Sequence, residues 1–392
     1  MSIRFSSRVA QVKPSATIAM SMKAAELRAQ GRDVLSLSMG EPDFDTPSHI
    51  CDAAIAAIHA GQTRYTAVDG TPELKKAVID KLERDQELDY NPDQILVSSG
   101  AKQSIYNLLQ ALLDEGDEVL IPAPYWVSYP DMVRLAGAAP VTLSADEKTD
   151  YCITAAQLNS AINEQTRLLI FNSPSNPTGR AYNRKQLTEL AEVLLDNPRV
   201  LICSDDIYEH MWWADEPFLS LAQIAPALKD RLVIVNGVSK AYAMTGWRIG
   251  YAAGPAELIK QMRKIQGQST SNPCSISQAA ATAALAGDQS CVETMRVEFK
   301  KRHDWLVPSL DRLPGIKCTP GQGAFYVFAD CREAIDALGL SDDLALAELL
   351  LEKTGVATVP GTAFGAPGHL RLSFACSLDT LKDAVRRIAG VL

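Results

Sequence analysis

Lys240 closes an apolar run in RLVIVNGVSK, and Arg248 follows eight residues later among small and apolar neighbours in AYAMTGWRIGY. Charges in such surroundings cost free energy unless something compensates them. A lysine amine stripped of water and close to another cation loses its proton easily, and becomes a nucleophile able to form a Schiff base with an aldehyde. A permanently charged arginine nearby suits a phosphate. Two plainer assignments compete. One is a surface lysine that snorkels to water. The other is a Ser-Lys hydrolase using Ser239, against which stands the rule that adjacent residues on an extended segment point to opposite sides.

Other segments carry parts of the same chemistry. In Ser99-Gly100-Ala101-Lys102 a strand ends in small residues and a helix begins at once, so free backbone N–H groups and the positive helix end make an anion site. Neither a Walker loop nor G-x-G-x-x-G is present, and a plain tight turn is the competing assignment. In SDDIY, Asp205 and Asp206 face opposite ways, so one of them enters a shared pocket. A buried aspartate needs a cationic partner, which a protonated ring nitrogen supplies, although a helix N-cap would use the same residue type. Asn172 and Asn176 stand between prolines in NSPSNPTG, a turn composition. Trp126 in PAPYW suits either a core or a plate for stacking. A lysine for an aldehyde, an arginine and a helix end for a phosphate, a carboxylate for a pyridinium and an aromatic for a ring together match pyridoxal 5'-phosphate.

The elements that must position these residues follow from periodicity. From about residue 92 to 255, short β-rich runs (QILVSS, DEVLIPA, TRLLIFNS, RVLICSD, RLVIVNG, RIGYAAG) alternate with amphipathic ones such as RKQLTELAEVLL. This rhythm predicts an α/β domain with a largely parallel sheet, whose ligands gather at the carboxyl ends of strands. Ile105, Leu108, Leu109, Leu112 and Leu113 have helical spacing, which predicts a helix over 101–113. The C-terminal part reads as α+β: helices near 276–287 and 292–313, a strand in GQGAFYVFAD, a helix over LALAELLLEK, then strands in GVATVPG and HLRLSFA. A helix around 15–30 has too few apolar neighbours of its own and is expected to pack there. With 392 residues the chain exceeds a single core. The expected division is a large cofactor-binding domain over 48–290 and a smaller one made of 1–47 and 291–392.

Composition narrows the partners. The net charge of -9 is interspersed, without a basic block for nucleic acid. Eight scattered cysteines without a C-x-x-C pair, and five histidines without H-E-x-x-H, read as reduced thiols and no structural metal. No apolar run is long enough to span a bilayer. Arg4, Arg8, Lys13 and Lys23 precede the first acidic residue, Glu26, as in an organelle transit segment, but the cytoplasm is the expectation.

From about Val9 onward the sequence resembles the fold-type I, class I pyridoxal-phosphate aminotransferases, in particular the bacterial-type aspartate aminotransferases. The segment Gly237 to Gly250 fits the family's lysine signature, and GEPDFDTP, RYTAVDG, PYWVSYP, NPTG and SDDIYEH occur in the expected order and spacing. The resemblance implies Lys240 as the Schiff-base lysine and catalytic proton carrier. It implies a phosphate held by Arg248 and by Gly100, Ala101 and Lys102, with Asp205 at the pyridine nitrogen. Tyr208 and Asn176 would meet the phenolic oxygen, and Trp126 would stack on the ring. Tyr65 would reach the cofactor of a neighbouring subunit, implying a homodimer with shared sites. Arg371 would clamp the substrate α-carboxylate, Gly40 would contribute backbone, and Lys102 would meet a distal carboxylate. Lys13 and Thr71 match positions that accompany use of prephenate. The implied reaction moves the amino group of L-aspartate to 2-oxoglutarate by a ping-pong route, with aromatic or prephenate transamination as the alternative and a lyase or a non-catalytic cofactor-binding regulator more remote. One departure stands out: some relatives have a phosphate-touching serine where this chain has Gly237, so that contact is absent or falls to Ser239.

Overall fold

A computed structural model describes residues 3–12, 14 and 16–392; Lys13 lies outside the described residues. Its centre is a seven-stranded sheet built from β1 (Ile95–Ser98), β2 (Glu118–Ala123), β3 (Ala139–Ser144), β4 (Thr166–Asn172), β5 (Leu201–Asp205), β6 (Leu232–Gly237) and β7 (Gly250–Ala253). The spatial order is β1-β7-β6-β5-β4-β2-β3. All neighbours pair in parallel except β7, which runs antiparallel to both β1 and β6. The apolar runs are continuous because both faces of the sheet are covered. Along β6, Leu232 and Ile234 enter one hydrophobic cluster while Val233 and Val235 enter the cluster on the other face, as a period of two requires.

A separate core gathers the C-terminal elements. There β8 (Tyr326–Asp330) pairs antiparallel with β10 (His369–Ser373), flanked by Lys317–Cys318 on one side and β9 (Val359–Pro360) on the other. The helix Ala16–Ala29 joins this core through Met20 and Ala24, which bury against residues such as Phe325 and Leu350. The long helix Ser290–Asp311 supplies Met295, Phe299 and Leu306 to it.

The elements differ from expectation in three places. The helix from Ala101 ends at Leu112, with Leu113 already extended. GVATVPG divides into Val356–Ala357, which pairs in parallel with Leu35–Ser36, and β9, which pairs with β10. A run this short serves two sheets by changing partner at Thr358. Strand β3 was absent from the predicted set because it is an edge strand with one fully buried residue, Leu143, and so lacks a strong apolar pattern.

Among the described residues no helix is long and apolar enough to cross a membrane, and no group of three or more His, Cys, Asp or Glu side chains is placed to hold a metal ion.

The reversed strand β7 crosses the start of the helix Ala101–Leu112 so closely that a Cβ at Gly250 would overlap the Ala101 nitrogen. Both partners are backbone and cannot swing aside. Gly250→Ala is therefore expected to cost about 3 kcal/mol, read from urea denaturation of the cofactor-free protein. A loss well below 1 kcal/mol would show that the helix start yields freely.

Candidate active site

The carboxyl ends of the parallel strands open into a cavity of about 380 Å3. Ala101 and Lys102, Trp126, Asn172 and Asn176, Asp205 and Tyr208, and Ser239 and Lys240 all border it, so the strand-end segments singled out from sequence meet in one place.

Its floor at one end is the start of the helix Ala101–Leu112. The first N–H groups of a helix have no intrahelical acceptor. Gly100 precedes them at φ +88, and a Cβ there would overlap the Arg248 guanidinium. Arg248 itself sits at φ 55 and donates to the carbonyls of Thr245 (2.8 Å) and Ser99 (3.4 Å). Helix end and guanidinium thus form one electropositive corner. Lys102 lies beside it with Nζ 4.8 Å from the Trp126 ring centre. Burial and then Arg248 hold the Lys102 amine below its ordinary value.

Lys240 stands in a turn, and its Nζ donates to the Gly40 carbonyl at 2.5 Å. Burial lowers its amine to about 8; Glu41 opposes this, while Arg248 and Arg371 reinforce it. The turn overturns the argument used against Ser239: the segment is not extended, and Ser239 and Lys240 border the same cavity. At Gly237 a Cβ would lie 2.9 Å from the Gly250 Cα, so no side chain fits there and the nearby hydroxyl is that of Ser239.

Asp205 is 4% exposed and enters the cavity. Asp206 turns away and accepts from Ser204 Oγ at 2.7 Å. Burial pushes Asp205 up to about 6, while the Tyr129 hydroxyl (2.6 Å), the Ile207 N–H (3.4 Å) and the charge on Lys240 keep it from rising further. It is therefore ionised at neutral pH. Asn172 donates to the Asp205 carbonyl at 2.8 Å and accepts from the Asn176 N–H at 3.0 Å, which ties two strand ends together.

Arg371, on β10, is only 2% exposed. It donates to Asn176 Oδ1 (3.0 Å) and to the Ser38 carbonyl (2.6 Å), between the rings of Tyr326 and Phe364 at 4.5 and 5.0 Å. Its Nε is buried without a partner. Tyr208 shares a 2.8 Å hydrogen bond with Tyr326, and Trp126 meets Tyr129 edge to face at 5.3 Å.

Three expected residues lie elsewhere or outside the description. Tyr65 is 92% exposed and remote from this cavity. Thr71 caps the helix Pro72–Gln86 by accepting from the Leu74 N–H. Lys13 is outside the described residues.

Sequence reasoning missed Tyr129 and Tyr326. Tyr129 had a signal, since it stands three residues after Trp126 in PYWVSYP and opens the helix Tyr129–Leu135. Tyr326 had only its place on an alternating strand. The donor set suits a ligand that combines an anionic group, an aldehyde and a protonable ring nitrogen, the expected pyridoxal 5'-phosphate. The helix end with Arg248, the desolvated amine of Lys240 and the ionised Asp205 match these in turn, and the orphan Nε of Arg371 awaits an acceptor.

A family model described as aminotransferase class I and II matches residues 32–388. The chain is 51% identical to an aspartate/prephenate aminotransferase of Nitrosomonas europaea, over 100% of both chains. It is 50% identical to an aspartate aminotransferase of Geobacillus stearothermophilus, over 98% of each. A solved aspartate aminotransferase from Rhizobium meliloti superposes with a TM-score of 0.96 at 45% identity, covering 100% of this chain and 99% of that one.

The lowered amine of Lys240 has a cost with a definite sign. Its folded value, about 8, lies below its unfolded one, so the penalty is full at pH 7, where the amine is charged in both states. It fades as pH rises from 8 toward 10.5. After allowance for cavity water and the lost Gly40 bond, cofactor-free Lys240→Met should be more stable than the parent by about 2 kcal/mol at pH 7. Denaturant titrations across this range should show the advantage of the variant shrink steadily from pH 8 to pH 11; a variant less stable at pH 7 would contradict it.

Proposed function

The chain belongs to the class I and II aminotransferase family, and from that premise we propose that it is a transaminase moving the amino group of L-aspartate to 2-oxoglutarate, with oxaloacetate and L-glutamate as products of a ping-pong cycle. The observation that carries this reading is a desolvated amine, that of Lys240, in one cavity with two arginines and an ionised aspartate.

Bound pyridoxal 5'-phosphate supplies an electron sink that makes the Cα–H bond of an attached amino acid acidic. The chain's own groups do the rest. The N–H groups at 100–102, Arg248 and Ser239 would hold the phosphate, and Lys240 would hold the aldehyde. Asp205 stays ionised and keeps the ring nitrogen protonated, an assignment its hydrogen bond from Tyr129 supports. Trp126 would stack on the ring, and Tyr208 and Asn176 would hold its phenolic oxygen. Arg371 fixes the substrate α-carboxylate, with Gly40 lining the same space. Once displaced by substrate, Lys240 Nζ takes the Cα proton and later returns it, a task suited to an amine whose affinity for protons lies near the working pH.

Lys102 is assigned to the distal carboxylate of aspartate. Its Nζ lies over Trp126 at the cavity wall, and the assignment includes an amine that swings aside for an aromatic side chain. A second reading, prephenate as an additional acceptor, is favoured by the double name of the Nitrosomonas relative and by Lys13 and Thr71 in the chain. The proposal includes the division into 48–290 and 1–47 with 291–392, a cytoplasmic location, and a homodimer in which Tyr65 reaches the partner's cofactor. The exposed Tyr65, with Ile55 and Ile58 about half-exposed on the nearby helix Ser48–His59, supports the last point.

With aspartate alone, the loaded enzyme should convert its cofactor to the amine form once per site and then stop. A lyase would continue to turn over, and a non-catalytic regulator would show no conversion. A charge-assisted hydrogen bond contributes roughly 1.5–3 kcal/mol, so Lys102→Ser should lower kcat/KM for aspartate about ten- to a hundredfold. Phenylalanine should be affected much less. Equal losses for both donors would assign Lys102 to the phosphate or the helix end instead. Sedimentation at working concentration should show a species of about twice the 42.5 kDa chain mass; a fully active monomer would refute the shared site.

A further inference from the structure

Behind the turn that carries Asp205 and Tyr208 lies a group of buried charges for which the proposed chemistry has no use. Glu209 is 5% exposed and Lys81, on the helix Pro72–Gln86, 1%. The two form an ion pair, with Asp85 3.7 Å from the same amine. Gln86 Nε2 donates to the second carboxylate oxygen of Glu209, and Asn236 Nδ2 donates to the first at 2.6 Å. His210 Nε2 stands 3.6 Å away. Burial alone would push the Glu209 carboxyl up, but Lys81 and His210 hold it below its ordinary value.

A buried ion pair is a poor way to gain stability, since the cost of desolvating two charges rivals their attraction. Such pairs are better understood by what they align. A cleft of about 750 Å3 lies outside, but its arginines are already paired, Arg84 with Asp85 and Arg296 with Glu293. The other end of the network points to the active site. Glu209 follows Tyr208 directly. Asn236 is four residues before Lys240, and its Oδ1 accepts the Gly237 N–H at 2.7 Å. One carboxylate therefore spans the gap between the strand end that presents Asp205 and the strand end that presents Lys240, while Lys81 and Gln86 anchor it to the helix Pro72–Gln86.

We propose that Glu209 is a positioning residue, setting the distance between the Asp205–Tyr208 turn and the Lys240 turn, with Lys81 keeping it ionised for that purpose. The proposal rests on the transaminase reading, in which both turns must grip one cofactor. An amide at 209 cannot serve in its place. It carries no charge to pair with Lys81, and it keeps both ties only if the Gln86 amide turns to present its Oε1.

The test uses two variants and pyridoxal 5'-phosphate as the probe. Lys81→Met with Glu209→Gln removes both charges at similar volume and leaves no unpaired ion; Asn236→Ala removes the tie to the Lys240 strand, together with the acceptor of the Gly237 N–H, and keeps the ion pair. Each variant should bind the cofactor about tenfold more weakly than the parent, the size seen when groups that orient a ligand's direct contacts are lost. Each should also displace the pH midpoint of the bound cofactor's visible absorbance, which a loss of stability alone would not move. If the double variant does not fold, Asn236→Ala decides. Parent-like affinity and pH midpoint in the folded variants would overturn the positioning role. A parent that binds no pyridoxal 5'-phosphate would instead overturn the transaminase reading itself.

Discussion

The site depends on holding a lysine amine away from water among other cations, with Glu41 offsetting only part of the effect of burial. Arg248 and Arg371 both oppose the charge on Lys240, and the nearest buried carboxylate, Asp205, is engaged by Tyr129 and the Ile207 N–H. A direct ion pair between Asp205 and Lys240 would have raised the amine and lowered the acid, cancelling the properties that make each useful. The hydroxyl of Tyr129 is the neutral donor that prevents this. It satisfies an oxygen of Asp205 at 2.6 Å without adding a positive charge to the cavity.

The same constraint explains the reversed strand. In a wholly parallel sheet the residue eight places after Lys240 would be on its way to the opposite edge. Because β7 runs antiparallel between β6 and β1, its first residue lies at the carboxyl ends of its neighbours. Arg248, two residues before Gly250, is thereby brought to the start of the helix that follows β1. The cost is crowding so tight that a Cβ at Gly250 would meet the Ala101 backbone and one at Gly100 the Arg248 guanidinium. The spacing of the lysine and the arginine is thus a property of sheet topology.

Much of this was legible in the sequence because the sheet is covered on both faces, which makes its inner strands continuous apolar runs, and because the chemistry sits at their ends. Where one of these conditions fails, legibility fails too. Strand β3 lies at an edge and is mostly exposed, so Ala139–Ser144 carries little pattern. GVATVPG reads as one strand because nothing local records that Val356 and Val359 pair with different sheets. In the site, residues on strand ends were found, whereas Tyr326 was not, since its contact with Tyr208 joins elements more than a hundred residues apart. Tyr65 shows the other limit. A side chain whose assigned task lies in another copy of the chain leaves no trace in the cavity of its own, and only its near-complete exposure sets it apart.

The adjacent aspartates show how one short motif can face two environments. The strand's period of two sends Asp205 into the cavity and Asp206 behind it. In front, a tyrosine, a backbone N–H and a lysine restrain the effect of burial, and the carboxylate is charged at neutral pH. Behind, Asp206 has a single serine donor and stands close to Glu209, and burial pushes its carboxyl well above the usual carboxylate range. A second negative charge directly behind Asp205 would raise the cost of ionising it. The upward shift of Asp206 favours its protonated form and so lessens that cost, while Glu209, one turn further along, is matched by Lys81. The order in which these acids ionise follows from which of them was given donors.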